Sequence, residues 1–278
     1  MENIDLVLSG SGVRFGCHYG AILALKKKKY NITRIAGTSG GAIIAAAYAS
    51  HYPFENIWHI IKHMDISDLM CDGKVMSWLR LIKYGGLYKG DRFEKFIDKN
   101  ITHGTKLNDA PGLFIVATDL TNRKPLVLSY KNGFGDMKIS RAVRMSMSAP
   151  IYWEPKTCNV KGEICTVVDG GISANYYIDL FDDNSRPTIG ISLYKEKKKS
   201  KINIINYFRN IIDTVMTANE NEHIEDAYWS KTIKVGTGDI SPFDLDITPE
   251  QIEWTIKRGY QETLDAIDNK IKKGENDG

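Results

Sequence analysis

Gly37-Thr38-Ser39-Gly40-Gly41 is a G-x-S-x-G sequence whose setting gives the serine chemistry to do. Thr33-Arg34-Ile35-Ala36 before it has β propensity, and Ala42 to Ala49 after it is a run of helix formers. A serine on a sharp turn between strand and helix is the context of a nucleophile elbow. Glycines let the backbone turn without a Cβ clash, so the Ser39 hydroxyl stands at a helix N-terminus. Unpaired N–H groups and the helix dipole favour developing negative charge there. The chemistry this predicts is nucleophilic attack on a carbonyl. The plainer reading is a glycine-rich turn with Ser39 as a helix cap.

A serine hydroxyl is a poor nucleophile near neutral pH and needs a base. The histidines are His18, His51, His59, His63, His103 and His223. Only His223 follows a plausible acid, which would give Ser39, Asp169 and His223 the chain order of a Ser-His-Asp esterase. Its neighbours, Glu220 to Asp226, read as a charged helix rather than the loop after a strand. The alternative base is Asp169 itself, which closes the apolar strand Ile164 to Val168 and precedes Gly170-Gly171. A carboxylate is a weak base in water but gains strength in a dry pocket within hydrogen-bond reach. Asp-Gly-Gly alone also reads as a tight turn.

The third requirement is an oxyanion hole. Gly10-Ser11-Gly12-Val13 follows the first strand, and its successive N–H groups are candidate donors. Arg14 would hold this loop or neutralise charge on the intermediate or on a lipid head group. A dinucleotide-binding loop is excluded, because the G-x-G-x-x-G spacing fails at Phe15 and no acidic residue ends a second strand.

These groups need a scaffold. Apolar runs predict strands at 4–8, 33–36, 113–117, 164–168 and 188–193. Helices are expected at 18–28, 42–49, 141–148, 202–222 and 249–271, the last opened by a Thr248 cap and Pro249. The opening β-α-β-α order predicts a three-layer α/β/α fold with a mainly parallel central sheet. One domain over 1–278 is expected, with the motifs in a core of about 4–195, a solvated loop at 195–201 and a helical part at about 201–271. Val75 to Tyr88 mixes aromatic, aliphatic and basic residues before Gly85-Gly86. It reads as a core-packed helix or as a lid facing a membrane.

With 278 residues, 42% hydrophobic and 26% charged, the chain has the balance of a soluble globular protein. A net charge of +3 is too weak to argue nucleic acid and is compatible with an anionic membrane surface. The start, Met1 to Asp5, lacks the pattern of a signal peptide, and no apolar run approaches the roughly 20 residues of a membrane span. Cys17, Cys71, Cys158 and Cys165 form no C-x-x-C pair, which predicts reduced thiols and no zinc site. A cytoplasmic location, peripheral at a membrane, is the expectation.

The glycine loop, G-x-S-x-G and D-G-G, in this order, resemble the patatin-like phospholipase family. Gly86 to Asp91, Ala117-Thr118-Asp119-Leu120 and Ser146 to Pro155 are similar to further segments of that family. The resemblance implies a patatin-like fold and a Ser–Asp dyad without histidine, with Ser39 as nucleophile and Asp169 as base. Gly10, Ser11, Gly12 and Val13 fall on its oxyanion-loop positions, Arg14 on its basic site, and Gly37, Gly41, Gly170 and Gly171 on its motif glycines. It also implies acyl-ester hydrolysis of phospholipids or related glycerolipids, of phospholipase A type, at a membrane surface. No metal or cofactor is implied. Two positions depart from the pattern: Ser11 replaces the loop's middle glycine, and Phe15 stands where glycine follows the basic residue. The loop backbone is therefore expected to differ locally, and Phe15 to line an acyl pocket. The Phe15 departure also supports a competing reading, a catalytically idle module that binds lipid or a protein partner.

Overall fold

The computed structural model describes residues 1–50, 53–70, 77–183, 185–195, 207, 210–216, 218, 228 and 230–276. Its strands are β1 (Glu2–Leu8), β2 (Tyr30–Thr38), β3 (Gly86–Tyr88), β4 (Leu113–Asp119), β5 (Lys124–Leu128), β6 (Ile151–Trp153), β7 (Lys156–Val160), β8 (Glu163–Asp169), β9 (Thr188–Tyr194) and β10 (Thr232–Gly236). The main sheet runs in the order β10-β9-β1-β2-β4-β8-β7, with β5 also paired to β4. From β10 to β4 all pairings are parallel, whereas β5, β8 and β7 run antiparallel to their partners. The fold is α/β, with a mixed, mainly parallel sheet flanked by helices. β3 and β6 form a separate two-stranded ribbon.

Side chains alternate across the sheet with the period of two that a pleated strand dictates. Leu6 and Leu8 of β1, Ile35 of β2, and Leu113 and Ile115 of β4 join the large core shared with α1 (Gly16–Lys27) and α2 (Gly40–Ala49). Val7, Ala36 and Phe114 point the other way and meet Tyr176, Ile178 and Phe181. The strands are thus apolar on both faces, as parallel strands with both faces covered must be.

The expected helix at 249–271 runs over Pro249–Asn276. The Thr248 amide donates to Gln251 Oε1 (2.8 Å) and the Gln251 amide to Thr248 Oγ1 (3.3 Å), a reciprocal capping box. This helix packs along α1 and buries Ile252 and Ile256 in the main core. The C-terminal part is not purely helical, because β10 extends the main sheet beside β9. The expected helix at 202–222 falls within the description at 210–216, which are helical, and otherwise lies largely outside the described residues.

One feature of β4 positions the site. Its edge carries β2 in parallel over Leu113–Val116, with Thr38 opposite Val116. The same edge carries β8 antiparallel over Ala117–Asp119, with Asp169 opposite Ala117; β5 occupies the other edge there. Two strands therefore run toward each other along one edge and end beside adjacent residues. The expectation that Asp169 ends a strand holds, but that strand opposes its neighbour instead of joining the parallel set.

Candidate active site

Ser39 lies between β2 and α2 with φ 50° and ψ −120°, a conformation few residues other than glycine adopt. Its amide belongs neither to the β2 ladder nor to the α2 helix. It donates to Ser146 Oγ at 2.8 Å, and Ser146 Oγ donates to the Val116 carbonyl at 2.5 Å. Ser146 is the last residue of a short helix, Ile139–Ser146. Gly37 is the penultimate residue of β2 and Gly41 sits in the first turn of α2. Gly40 lies so close to the glycine loop that a Cβ there would strike the Gly12 carbonyl and Ser11 Oγ.

The Ser39 hydroxyl donates to Asp169 Oδ2 at 2.7 Å. The other oxygen, Oδ1, accepts the Gly171 amide at 2.8 Å, which fixes the plane of the carboxylate. The main chain around the acid is held as firmly: the Asp169 amide donates to the Ser148 carbonyl (3.0 Å) and Thr118 Oγ1 donates to the Asp169 carbonyl (2.8 Å). The Gly170 amide donates to the Ser146 carbonyl (3.2 Å). A side chain at Gly170 would collide with the Val116 carbonyl, so the close approach of β8 to β4 requires glycine there. Asp169 is 3% exposed. Burial pushes its pKa up to about 6, against the pull of the Ser39 and Gly171 hydrogen bonds. The group is thus mostly ionised at neutral pH and is a better proton acceptor than an ordinary aspartate.

In the loop after β1, three of the candidate donors are already engaged. The Gly10 amide donates to the Asn175 carbonyl (2.8 Å), the Val13 amide to the Pro242 carbonyl (3.0 Å) and the Arg14 amide to the Ser11 carbonyl (3.1 Å). Among the described residues, no hydrogen bond occupies the amides of Ser11 or Gly12. The buried Arg14 side chain braces the loop: Nε donates to the Ser11 carbonyl (3.0 Å) and Nη1 to Thr237 Oγ1 (3.1 Å). The C-terminal third thus contributes Thr237 and Pro242 to the loop.

Ser39 and Asp169 open onto a narrow cavity of about 50 Å³, walled by Phe15, Ile43, Phe93, Trp153, Met216 and Phe243. Phe243 stacks on Tyr152 at 5.2 Å between ring centres. Phe15, where the family pattern has glycine, is part of this wall. The lining is almost wholly apolar, which suits a hydrocarbon chain.

No described imidazole hydrogen-bonds to Ser39 or Asp169. His18 is buried on α1 and bonded to the Ser9 carbonyl (2.9 Å); burial drives its pKa down to about 3, so it stays neutral. His63 turns back to the His59 carbonyl (2.9 Å). His223 lies outside the described residues, as do His51, Cys71, Val75 and Met76. No cluster of His, Cys, Asp and Glu suited to a metal ion occurs among the described residues. No described helix is long and apolar enough to cross a membrane.

Sequence reasoning gave no role to Ser146, Thr118, Asn175 or Pro242. The first two lay inside segments noticed only by resemblance. The last two act through main-chain carbonyls, which leave no trace in residue type.

The family described as patatin-like phospholipase matches residues 6–182. The uncharacterized protein YqhO of Bacillus subtilis is 34% identical over 94% of this chain and 96% of its own length. Protein R571 of Acanthamoeba polyphaga mimivirus is 29% identical over 95% of this chain and 93% of its own. Among solved structures, VipD from Legionella pneumophila superposes with a TM-score of 0.65 at 17% identity, covering 97% of this chain and 67% of that one.

Proposed function

We propose, from the premise that this chain belongs to the patatin-like phospholipase family, that it cleaves fatty-acyl esters of phospholipids or related glycerolipids through a Ser39–Asp169 dyad. The observation that carries this reading is the 2.7 Å hydrogen bond from Ser39 Oγ to Asp169 Oδ2 at an apolar cavity. Asp169 accepts the hydroxyl proton as Ser39 Oγ attacks the ester carbonyl carbon. The carbonyl oxygen becomes an oxyanion, met by the Ser11 and Gly12 amides and by the N-terminus of α2. The tetrahedral intermediate collapses. The alcohol or lysolipid leaves with the proton from Asp169, and the acyl group stays on Ser39. Asp169 then takes a proton from water, whose oxygen attacks the acyl carbon; as this second intermediate collapses Asp169 returns the proton to Ser39 Oγ, and the fatty acid departs. Each step returns Asp169 to its ionised form, so no imidazole is needed.

The lipid approaches through the α-helix Ser77–Tyr84. Leu79 and Ile82, one turn apart, are 57% and 84% exposed, and Lys83 stands beside them. Arg80 pairs with Glu154, and no acidic residue lies on this helix. Gly85 and Gly86 lead from it into β3, which pairs with β6, the strand bearing the cavity residues Tyr152 and Trp153. An exposed apolar and basic face next to the cavity supports contact with an anionic bilayer. Leu81 is half-buried, so the membrane face is Leu79 and Ile82.

Mass spectrometry of products from liposomes of defined mixed lipids tests the function. Free fatty acid and lysolipid are expected from the unaltered protein and neither from Ser39→Ala. Full activity in Ser39→Ala would end the proposal. Lipid binding without any product would leave a module that holds lipid and does not cut it.

A further inference from the structure

Ser146 lies in the Ser146-Met147-Ser148-Ala149-Pro150 segment, and the acyl-transfer steps give it no part. Its oxygens nevertheless hold the main chain at Ser39 and at Gly170, the residue after Asp169. The hydroxyl accepts the Ser39 amide at 2.8 Å and donates to the Val116 carbonyl at 2.5 Å. The Ser146 carbonyl accepts the Gly170 amide at 3.2 Å. Val116 faces the end of β2 and its neighbour Ala117 faces Asp169. One residue therefore spans the junction where the two strands meet.

The need for such a residue follows from the elbow. The Ser39 amide takes no backbone partner from the ladder it leaves or the helix it starts; its acceptor is Ser146 Oγ. It is buried, so it requires an acceptor. A hydroxyl can accept that amide and donate onward to a carbonyl in the same place, which alanine cannot do. The Ser146 proton is committed to Val116, so Ser146 is not itself a nucleophile, a base or an oxyanion donor.

We propose that Ser146 is a positioning residue for the nucleophile. Its hydroxyl holds the Ser39 amide and so aims Ser39 Oγ at Asp169 Oδ2. This rests on Ser39 being the nucleophile, and it assigns Ser146 to the rate of attack and not to substrate binding.

The test compares the unaltered protein with Ser146→Ala and Ser146→Thr, using a fluorophosphonate probe and a soluble short-chain ester. Rates are expressed per folded molecule from thermal melts and circular dichroism. Ser146→Ala is expected to be phosphonylated about 10–100-fold more slowly at Ser39, the range that corresponds to loss of one buried hydrogen bond. kcat should fall by the same factor with KM within about twofold, because substrate binding does not involve Ser146. Ser146→Thr, which keeps the hydroxyl, should recover most of the rate. If Ser146→Ala fails to fold, Ser146→Cys, a weaker acceptor of similar size, takes its place with the same expectation. Normal labelling and kcat in folded Ser146→Ala or Ser146→Cys would overturn the proposal. So would an activity loss that only tracks the loss of folded protein. If the unaltered protein is not labelled at Ser39 at all, the nucleophile assignment fails instead, which separates the two ideas.

Discussion

Asp169→Asn should abolish turnover and, above pH 6, make the folded protein more stable. The carboxylate is buried and its pKa is pushed from 3.8 up to about 6, with desolvation as the leading cause. A folded pKa above the unfolded one means the native state binds the proton more tightly. Between those two values stability therefore falls as pH rises, and the full cost is present above the folded pKa. At about 1.4 kcal/mol per unit, a shift of about two units costs about 3 kcal/mol at pH 8. At pH 4.5 about 1 kcal/mol of it is already present, which leaves about 2 kcal/mol to appear between pH 4.5 and 8. Asparagine keeps the shape and an oxygen for the Gly171 amide but has no charge to desolvate. The assay is urea unfolding of both proteins at pH 4.5 and 8. The stability of Asp169→Asn relative to the unaltered protein should rise by about 2 kcal/mol across that range; other titrating groups cancel in the difference. A difference independent of pH would refute the reasoning, because Asp169 would then titrate alike in the folded and unfolded chains.

The same shift sets the pH–rate profile: kcat/KM should rise with pH through about 6 and be about tenfold lower at pH 5 than on the plateau. A profile still climbing at pH 9 would mean another group acts as base. Arg14→Met removes the bonds to Ser11 and Thr237. It is expected to lower kcat by up to about 10²-fold with little change in KM, measured on a soluble ester, since it loosens the Ser11 and Gly12 donors. Leu79→Asp with Ile82→Asp should weaken liposome flotation and liposome hydrolysis while sparing the soluble ester; equal losses on both substrates would remove the membrane role of that helix.

Those features of the site that depend on residue type were legible in the sequence. A turn that puts serine at φ 50° needs small neighbours, so Gly37, Gly40 and Gly41 announce it. The β8 strand cannot approach Val116 without Gly170, so D-G-G carries information too. The direction of β8 was not legible, because an apolar run such as Ile164 to Val168 reads the same whether its neighbour is parallel or antiparallel. Nor was the choice of oxyanion donors. Which loop amides remain available depends on carbonyls of Asn175 and Pro242, far away in sequence, and any residue type can supply a carbonyl. β10 escaped notice because Thr232 to Gly236 is short and Lys234 interrupts its only apolar pair, Ile233 and Val235.

The most direct measurement is the mass of the covalent intermediate. Rapid acid quench during turnover of an activated fatty-acyl ester, followed by peptide mapping, should find the acyl group on Ser39. It should still form in His223→Ala and should not accumulate in Asp169→Asn. An acyl adduct on another residue, or one that forms at the normal rate without Asp169 and vanishes without His223, would contradict acyl transfer by serine and aspartate alone.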